Sequence, residues 1–273
     1  MIVTAPQLDL RAIKARQQIT WSSGNYARIA NIILPIAERL CEAVDLRAGQ
    51  RVLDVAAGNG NAALAAARCF CDVTALDYVP SLLEDGRRRA AAEGLSIDFH
   101  DGDSEDLPVA DAGYDVVLST VGVMFAPDQP KAAQELLRVC RSGGKIGLAN
   151  WTPEGFLGAL FRTIARHVPP PAGLASPMRW GDEDAVAELL GSGVTNLKTE
   201  RRMFTLRFLS PQHFVYFFRT YYGPTFKTFE ALDADGKERL AADTEALLRE
   251  HNRSGDETLA VDSEYLEIVA MRR

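Results

Sequence analysis

Val52-Leu53-Asp54-Val55-Ala56-Ala57-Gly58-Asn59-Gly60, followed by the alanine-rich residues 61–68, is the stretch whose reading decides the fold. It reads as a buried strand, a turn that glycine permits, and the start of a packed helix. That arrangement builds a nucleotide-shaped pocket. Gly58-Asn59-Gly60-Asn61-Ala62-Ala63 also fits the degenerate G-x-G-x-x-A form of a dinucleotide-binding fingerprint. The glycines alone do not choose between cofactors.

Outward from this turn the pattern alternates. Strand-like segments at 51–55, 72–77, 97–100, 114–119 and 145–150 are interleaved with helical ones at 62–67, from Ser81 onward, and at 130–140. Ser81 with Glu84 three residues later matches a capping box, and Ser142-Gly143-Gly144 reads as the end of the 130–140 helix. Strands alternating with helices of this length indicate parallel crossover units. The expected fold class is therefore α/β, an open doubly wound sheet with right-handed connections. Upstream, 8–19 and 26–44 look helical, with Trp21-Ser22-Ser23-Gly24 as the break and Pro35 at a helix start or kink. Beyond Trp151 the rhythm changes. Helices are predicted over 156–167, 182–190, 211–222 and 234–249, and strands over 197–208 and 263–271. The expected organisation is an N-terminal helical lid over 1–48 and a core over 49–273, with insertions at about 151–195 and 209–255.

Composition excludes several classes. Thirty Lys and Arg stand against 37 Asp and Glu in 273 residues, a formal charge of -7. That balance is not the footprint of a general nucleic-acid binder. Arg87-Arg88-Arg89 reads as a solvated helix face. Cys41, Cys69, Cys71 and Cys140 match neither a redox pair nor a zinc knuckle, so reduced structural thiols and no metal site are expected. No positive segment followed by an apolar block opens the chain, and no apolar run is long enough for a membrane span. A cytoplasmic protein is the expectation.

In an open α/β sheet the ligand crevice lies beyond the carboxyl ends of the strands. Gly58, Asn59 and Gly60 form the turn there. Asp77 closes the second strand, where a carboxylate can accept from both hydroxyls of a ribose. Asp103 and Ser104 follow the third strand, placed to meet the exocyclic amine of adenine, and Tyr78 and Leu107 offer apolar surface for the rings. Asp54 lies four residues before Gly58. A carboxylate near the cofactor's tail would repel a pyrophosphate and suit a sulfonium cofactor with a cationic amino-acid tail. The alternative is that Asp54 organises the turn through backbone N–H groups.

With these residues in place the chain resembles the class I S-adenosylmethionine-dependent methyltransferases, most closely their UbiE-like small-molecule branch. Residues 52–60 look like the family's first motif and Asp77 like its ribose-binding acid. Gly102-Asp103-Ser104-Glu105-Asp106-Leu107-Pro108 resembles the adenine-edge segment, Tyr114-Asp115-Val116-Val117 the fourth strand, and residues 136–145 the approach to strand five. The resemblance implies a Rossmann-like, seven-stranded, mostly parallel sheet with one antiparallel strand near its edge, and a helical acceptor-side cap. It implies S-adenosyl-L-methionine as cofactor, Thr120 and Val121 beside its methionine part, and a lid that includes residues 21–26. Tyr26 either reaches the cofactor or packs.

Methyl transfer from a sulfonium is an in-line displacement, so alignment and exclusion of water are the protein's main tasks. A base is needed only where the acceptor must lose a proton. His213 is the chosen candidate over His167 and His251, because Phe214, Tyr216, Phe217 and Phe218 surround it in sequence. Those aromatics either dock the lobe or, with Trp151, Phe156, Met178 and Trp180, form an apolar pocket for a compact organic acceptor. The expected partner is a small-molecule methyl acceptor rather than nucleic acid, with a homodimer possible. Two other readings compete: a catalytically inert S-adenosylmethionine-binding scaffold, and an NAD-dependent oxidoreductase, which would have to bind a pyrophosphate despite Asp54.

Overall fold

A computed structural model describes residues 8–273. Its sheet grows from β1 (Arg51–Val55), which pairs in parallel with β2 (Asp72–Asp77) on one side and β4 (Tyr114–Thr120) on the other. β3 (Asp98–Asp101) extends the β2 edge, and β5 (Cys140–Trp151) lies parallel to β4. β7 (Leu259–Arg272) runs antiparallel to both β5 and the edge strand β6 (Val194–Phe208). The order β3-β2-β1-β4-β5-β7-β6 makes seven strands with a single reversed one next to the edge, as the resemblance implied. Chain order reverses direction between β1 and β4. That switch point sets where a ligand can sit.

Burial explains the strands. Val52, Leu53 and Val55 of β1 and Val116, Val117 and Leu118 of β4 are wholly buried, as central parallel strands covered on both faces must be. The covering helices are α2 (Tyr26–Ala43), α3 (Asn61–Arg68), α4 (Pro80–Glu93), α5 (Gln129–Val139) and α7 (Glu183–Leu190), with α2 packed on α3 and α5 on α7. α2 crosses β5 at Gly147, where a Cβ would stand 2.5 Å from Val44 Cγ1. Pro35 lies inside an unbroken α2, so the helix neither starts nor stops there.

Two local expectations need correcting. Ser81 does not cap α4: the helix opens at Pro80, and its N-cap, Val79, offers no side-chain bond. Proline in the first turn fits because its missing N–H would have no helical partner there. Ser142-Gly143-Gly144 does not close α5, which ends at Val139. These residues form a bulge at the start of β5, where the register jumps from Tyr114↔Cys140 to Val116↔Lys145 and Gly143 takes φ +71°.

The segment expected to act as one lid divides. Residues 1–7 lie outside the described residues. α1 (Leu10–Trp21) buries no residue, whereas α2 places Ile29, Ile33, Ile36 and Leu40 in the core. On the acceptor side, α6 (Phe156–His167) precedes β6, while α8 (Pro211–Tyr221), α9 (Gly223–Glu230) and α10 (Ala234–His251) join β6 to β7. α6 packs on α10 and α8 on α9, forming a helical lobe above the sheet; α7 instead packs on α5.

Candidate active site

The site begins with the two strand ends at the switch point. Ser119 at the end of β4 donates to the Val55 carbonyl (2.7 Å) and accepts from the Val123 N–H (2.9 Å), tying β1 to the loop after β4. Ala56 and Val121, just past each strand, hold left-handed φ values of +53° and +51°. Such strain in non-glycine residues collects at ligand sites. Gly122 makes the approach possible: a Cβ there would lie 2.4 Å from the Ala56 carbonyl oxygen. A cleft opens directly above this junction, with about 560 Å³ of empty space including its mouth.

Into this cleft the fold brings Tyr26 of α2, Gly58 after β1, Asp77 and Tyr78 at the end of β2, Asp103 and Ser104 after β3, and Val121 after β4. Asp77 is its electrostatic centre and is only 5% exposed. Its Oδ2 accepts from the Gly58 N–H (2.8 Å) and its Oδ1 from the Val79 N–H (2.9 Å). Burial pushes its carboxyl up to about 6, against the opposing effect of those backbone donors. Each oxygen keeps lone-pair capacity for a further donor. Gly58 adopts φ +56°, and the Tyr26 ring lies where a Cβ would reach it at 3.2 Å.

Five other predicted residues do not line the cleft; one of them, Leu107, is buried in the core, its N–H donating to Glu135 Oε2 (2.7 Å). Asp54 accepts from the Ala63 N–H (2.9 Å) and thereby caps α3, whose own N-cap, Gly60, has no side chain. Burial pushes its carboxyl up to about 7. Asp54 therefore organises the turn through a backbone N–H, as the alternative reading had it. Asn59 is buried behind the turn, with its carbonyl accepting from Arg89 (2.8 Å). Gly60 packs over the Phe99 ring, and Thr120 ends β4 outside the lining.

His213 is also corrected. Its Nδ1 accepts from the Leu209 N–H (3.3 Å), and its ring sits edge-on to Phe208 and Phe217, closing the corner between β6 and α8. It lines neither the cleft nor the chamber beside it. His167 pairs with Asp243 (2.8 Å), and His251 donates to the Leu247 carbonyl (3.0 Å).

Sequence reasoning missed the underside of α1. Lys14 Nζ reaches Asp103 Oδ2 (2.6 Å) and Glu105 Oε2 (2.8 Å), while Gln17 donates to the Phe125 carbonyl (3.0 Å) and Gln18 to that of Tyr78. Burial lowers the Lys14 pKa, but hydrogen bonds to the two carboxylates outweigh it and hold it above the ordinary lysine value. Along its middle turns α1 is thus fastened across the cleft by polar contacts. The Lys14–Asp103 contact spans 89 residues of chain, so no local pattern announces it.

Beyond the cleft lies a second cavity, of about 800 Å³ with its opening. Trp21, Tyr26, Val121 and Phe125 belong to both. Trp21 sits edge-to-face with Phe125 (4.9 Å), Tyr222 (5.6 Å) and Tyr26 (5.8 Å), forming an aromatic collar between the cavities. The chamber's other walls include Ile29 and Ile33 of α2, Leu160 and Phe161 of α6, and Leu206 of β6. Trp151 and Phe218 line it as expected. Phe156, Met178 and Trp180 are core residues instead, and Phe214 stacks behind Phe218 (4.2 Å). Burial holds the Tyr26 and Tyr222 phenols well above the ordinary tyrosine range, with the Asp77 and Asp54 charges adding to the effect at Tyr26. Both remain neutral donors.

A seven-stranded sheet of this order, with a buried acid after β2 and a covered cleft at the β1/β4 ends, defines a Rossmann-like transferase fold with a nucleoside site. The methyltransferase domain family matches residues 52–144. An uncharacterised protein of Mycobacterium tuberculosis is 41% identical over 257 residues, covering 92% of this chain and 93% of that one. A demethylmenaquinone methyltransferase of Renibacterium salmoninarum is 40% identical over 123 residues, covering 45% of this chain and about half (49%) of its own length. A solved phosphoethanolamine N-methyltransferase 2 of Haemonchus contortus, bound to phosphomonomethylethanolamine and S-adenosylhomocysteine, superposes with a TM-score of 0.61 at 15% identity, over 98% of this chain and 61% of that one. The chain belongs to the class I S-adenosylmethionine-dependent methyltransferases. Its cleft suits that cofactor: the anchored Asp77 carboxylate offers acceptors to a ribose diol, and aromatic and apolar walls suit an adenine ring.

Proposed function

We propose that this enzyme methylates a small organic acceptor held in the chamber beside the cofactor cleft. One observation carries the reading: two cavities of different chemistry, one polar with a buried acid and one apolar, share the walls Trp21, Tyr26, Val121 and Phe125. A shared wall is what in-line transfer requires, since donor and acceptor must meet through one opening.

When bound, S-adenosylmethionine supplies an electrophilic methyl group. Asp77 accepts from the ribose hydroxyls, Tyr78 and Leu82 flank the base, and Asp103 with Ser104 bounds its polar edge. Asp103 also receives Lys14, so the acid that meets the base edge is the one that fastens α1. Closing α1 excludes water, while the collar aligns the two reactants. Among the chamber-lining residues there is no Asp, Glu, His, Lys or Arg, so the site works by orientation rather than by a side-chain base.

Calorimetry with S-adenosylhomocysteine and with NAD tests the reading. Binding of the nucleoside thioether without NAD binding is expected; tight NAD binding alone would overturn it in favour of an oxidoreductase. An inert scaffold would bind the thioether yet turn over no acceptor that the chamber admits.

A further inference from the structure

We infer that the acceptor is an uncharged, lipophilic molecule, methylated at an atom that attacks without help from a side-chain base. This rests on the methyltransfer reading and names the substrate class that reading leaves open.

The chamber's chemistry excludes charged acceptors in turn. A phosphate or carboxylate would leave water for walls that carry no Lys or Arg. An unpaired ion in such surroundings costs several kcal/mol or more. The one cation of the neighbouring cleft, Lys14, is already held by Asp103 and Glu105. At the collar the Asp77 and Asp54 charges outweigh the opposing Arg89 guanidinium in their effect on Tyr26, which is to oppose a second negative charge nearby. A cationic acceptor fares no better, because no carboxylate lines the chamber and the donor's sulfonium would face it through the collar.

What the chamber does offer is apolar area with a few neutral polar groups: the indole of Trp21, the phenols of Tyr26 and Tyr222, and the hydroxyls of Thr225 and Thr228. The Thr228 hydroxyl donates to the Pro224 carbonyl (2.8 Å), leaving it an acceptor.

The transfer balances without a base. The acceptor's lone pair forms the new bond to the methyl carbon while the carbon–sulfur pair returns to sulfur. The positive charge passes to the acceptor and is discharged when the acceptor's own proton leaves to water as the product is released.

Displacement of the neutral fluorophore 1-aminoanthracene from the full chain, with S-adenosylhomocysteine present, tests the inference. Saturable binding is expected, with 2-naphthol (uncharged at pH 7) displacing the probe at least tenfold more effectively than 2-naphthoate. Thr228→Lys, with Thr225→Lys as the second variant, should reverse this order by supplying the missing cation. Absent saturable binding, equal or better displacement by 2-naphthoate from the unaltered protein, or an unchanged order in both folded variants would overturn it. Thioether calorimetry on the same sample separates the two levels. If the thioether binds while the order is wrong, only the acceptor class falls; if it does not bind, the transferase reading falls.

Discussion

Replacing Asp77 separates cofactor capture from folding. Its two oxygens already accept the Gly58 and Val79 N–H groups, so Asp77→Ala would leave two donors without partners as well as removing the ribose acceptor. Each such buried donor costs ~1–3 kcal/mol, a large share of a typical domain's stability. Asp77→Asn is the cleaner change, because it keeps one carbonyl oxygen and removes the charge. Hydrogen bonds to a charged acceptor contribute ~1.5–3 kcal/mol each, against ~1 kcal/mol for neutral ones. For two ribose hydroxyls the difference is ~1–4 kcal/mol, or roughly a fivefold to 700-fold weaker affinity for S-adenosylhomocysteine. Calorimetry at pH 7.5, with a melting curve as the folding control, measures it. The unaltered protein should also lose affinity as pH falls below about 6, because the protonated acid is the poorer acceptor. Stability runs the other way. A carboxyl raised from 3.8 to about 6 holds its proton more tightly in the folded chain. Its contribution to stability is therefore fully present below 3.8 and lost as pH rises through about 6. Asp77→Asn should remove that part of the pH slope. An Asn variant within twofold of the unaltered affinity, or affinity flat from pH 7.5 to 5, refutes the ribose assignment.

Lys14→Ala removes the ion pairs that fasten α1 and should cost ~1–2 kcal/mol of lid closure, seen as roughly 5–30-fold weaker thioether binding and faster proteolysis within α1. Unchanged binding would remove the lid role. Gly122→Ala drives a Cβ to 2.4 Å from the Ala56 carbonyl oxygen and should destabilise the fold by ~1–3 kcal/mol in urea titration; a neutral result would mean that the strand ends part easily. His213→Gln should leave turnover within about threefold, since the ring touches only the β6–α8 corner; a loss of two orders of magnitude would restore it as a base.

The sheet was legible because its signals are local. A buried run before a glycine turn, an acid closing the next strand, and apolar segments at crossover spacing all lie within a few residues of the elements they specify. Asp77, Gly58 and Tyr78 could be assigned for the same reason: position at a strand's carboxyl end is set by the strand itself. Asp54 shows the limit. Sequence places it beside the turn but leaves open which way its carboxylate faces, and the answer depends on Gly60 lacking a side chain to cap α3. His213 fails differently, since its aromatic neighbours in sequence turned out to be its packing rather than a pocket wall.

By itself, the sequence determined the doubly wound sheet, the switch point and the acid that marks a nucleoside site. Tertiary structure alone decided what closes the cleft and what adjoins it. Lys14 meets Asp103 and Glu105, and Trp21 meets Phe125 and Tyr222, only after α1 has been laid across the strand ends. Hydrophobic periodicity reports which face of an element is buried. It does not say which distant face will cover it, and in this protein that pairing creates the apolar chamber beside the cleft.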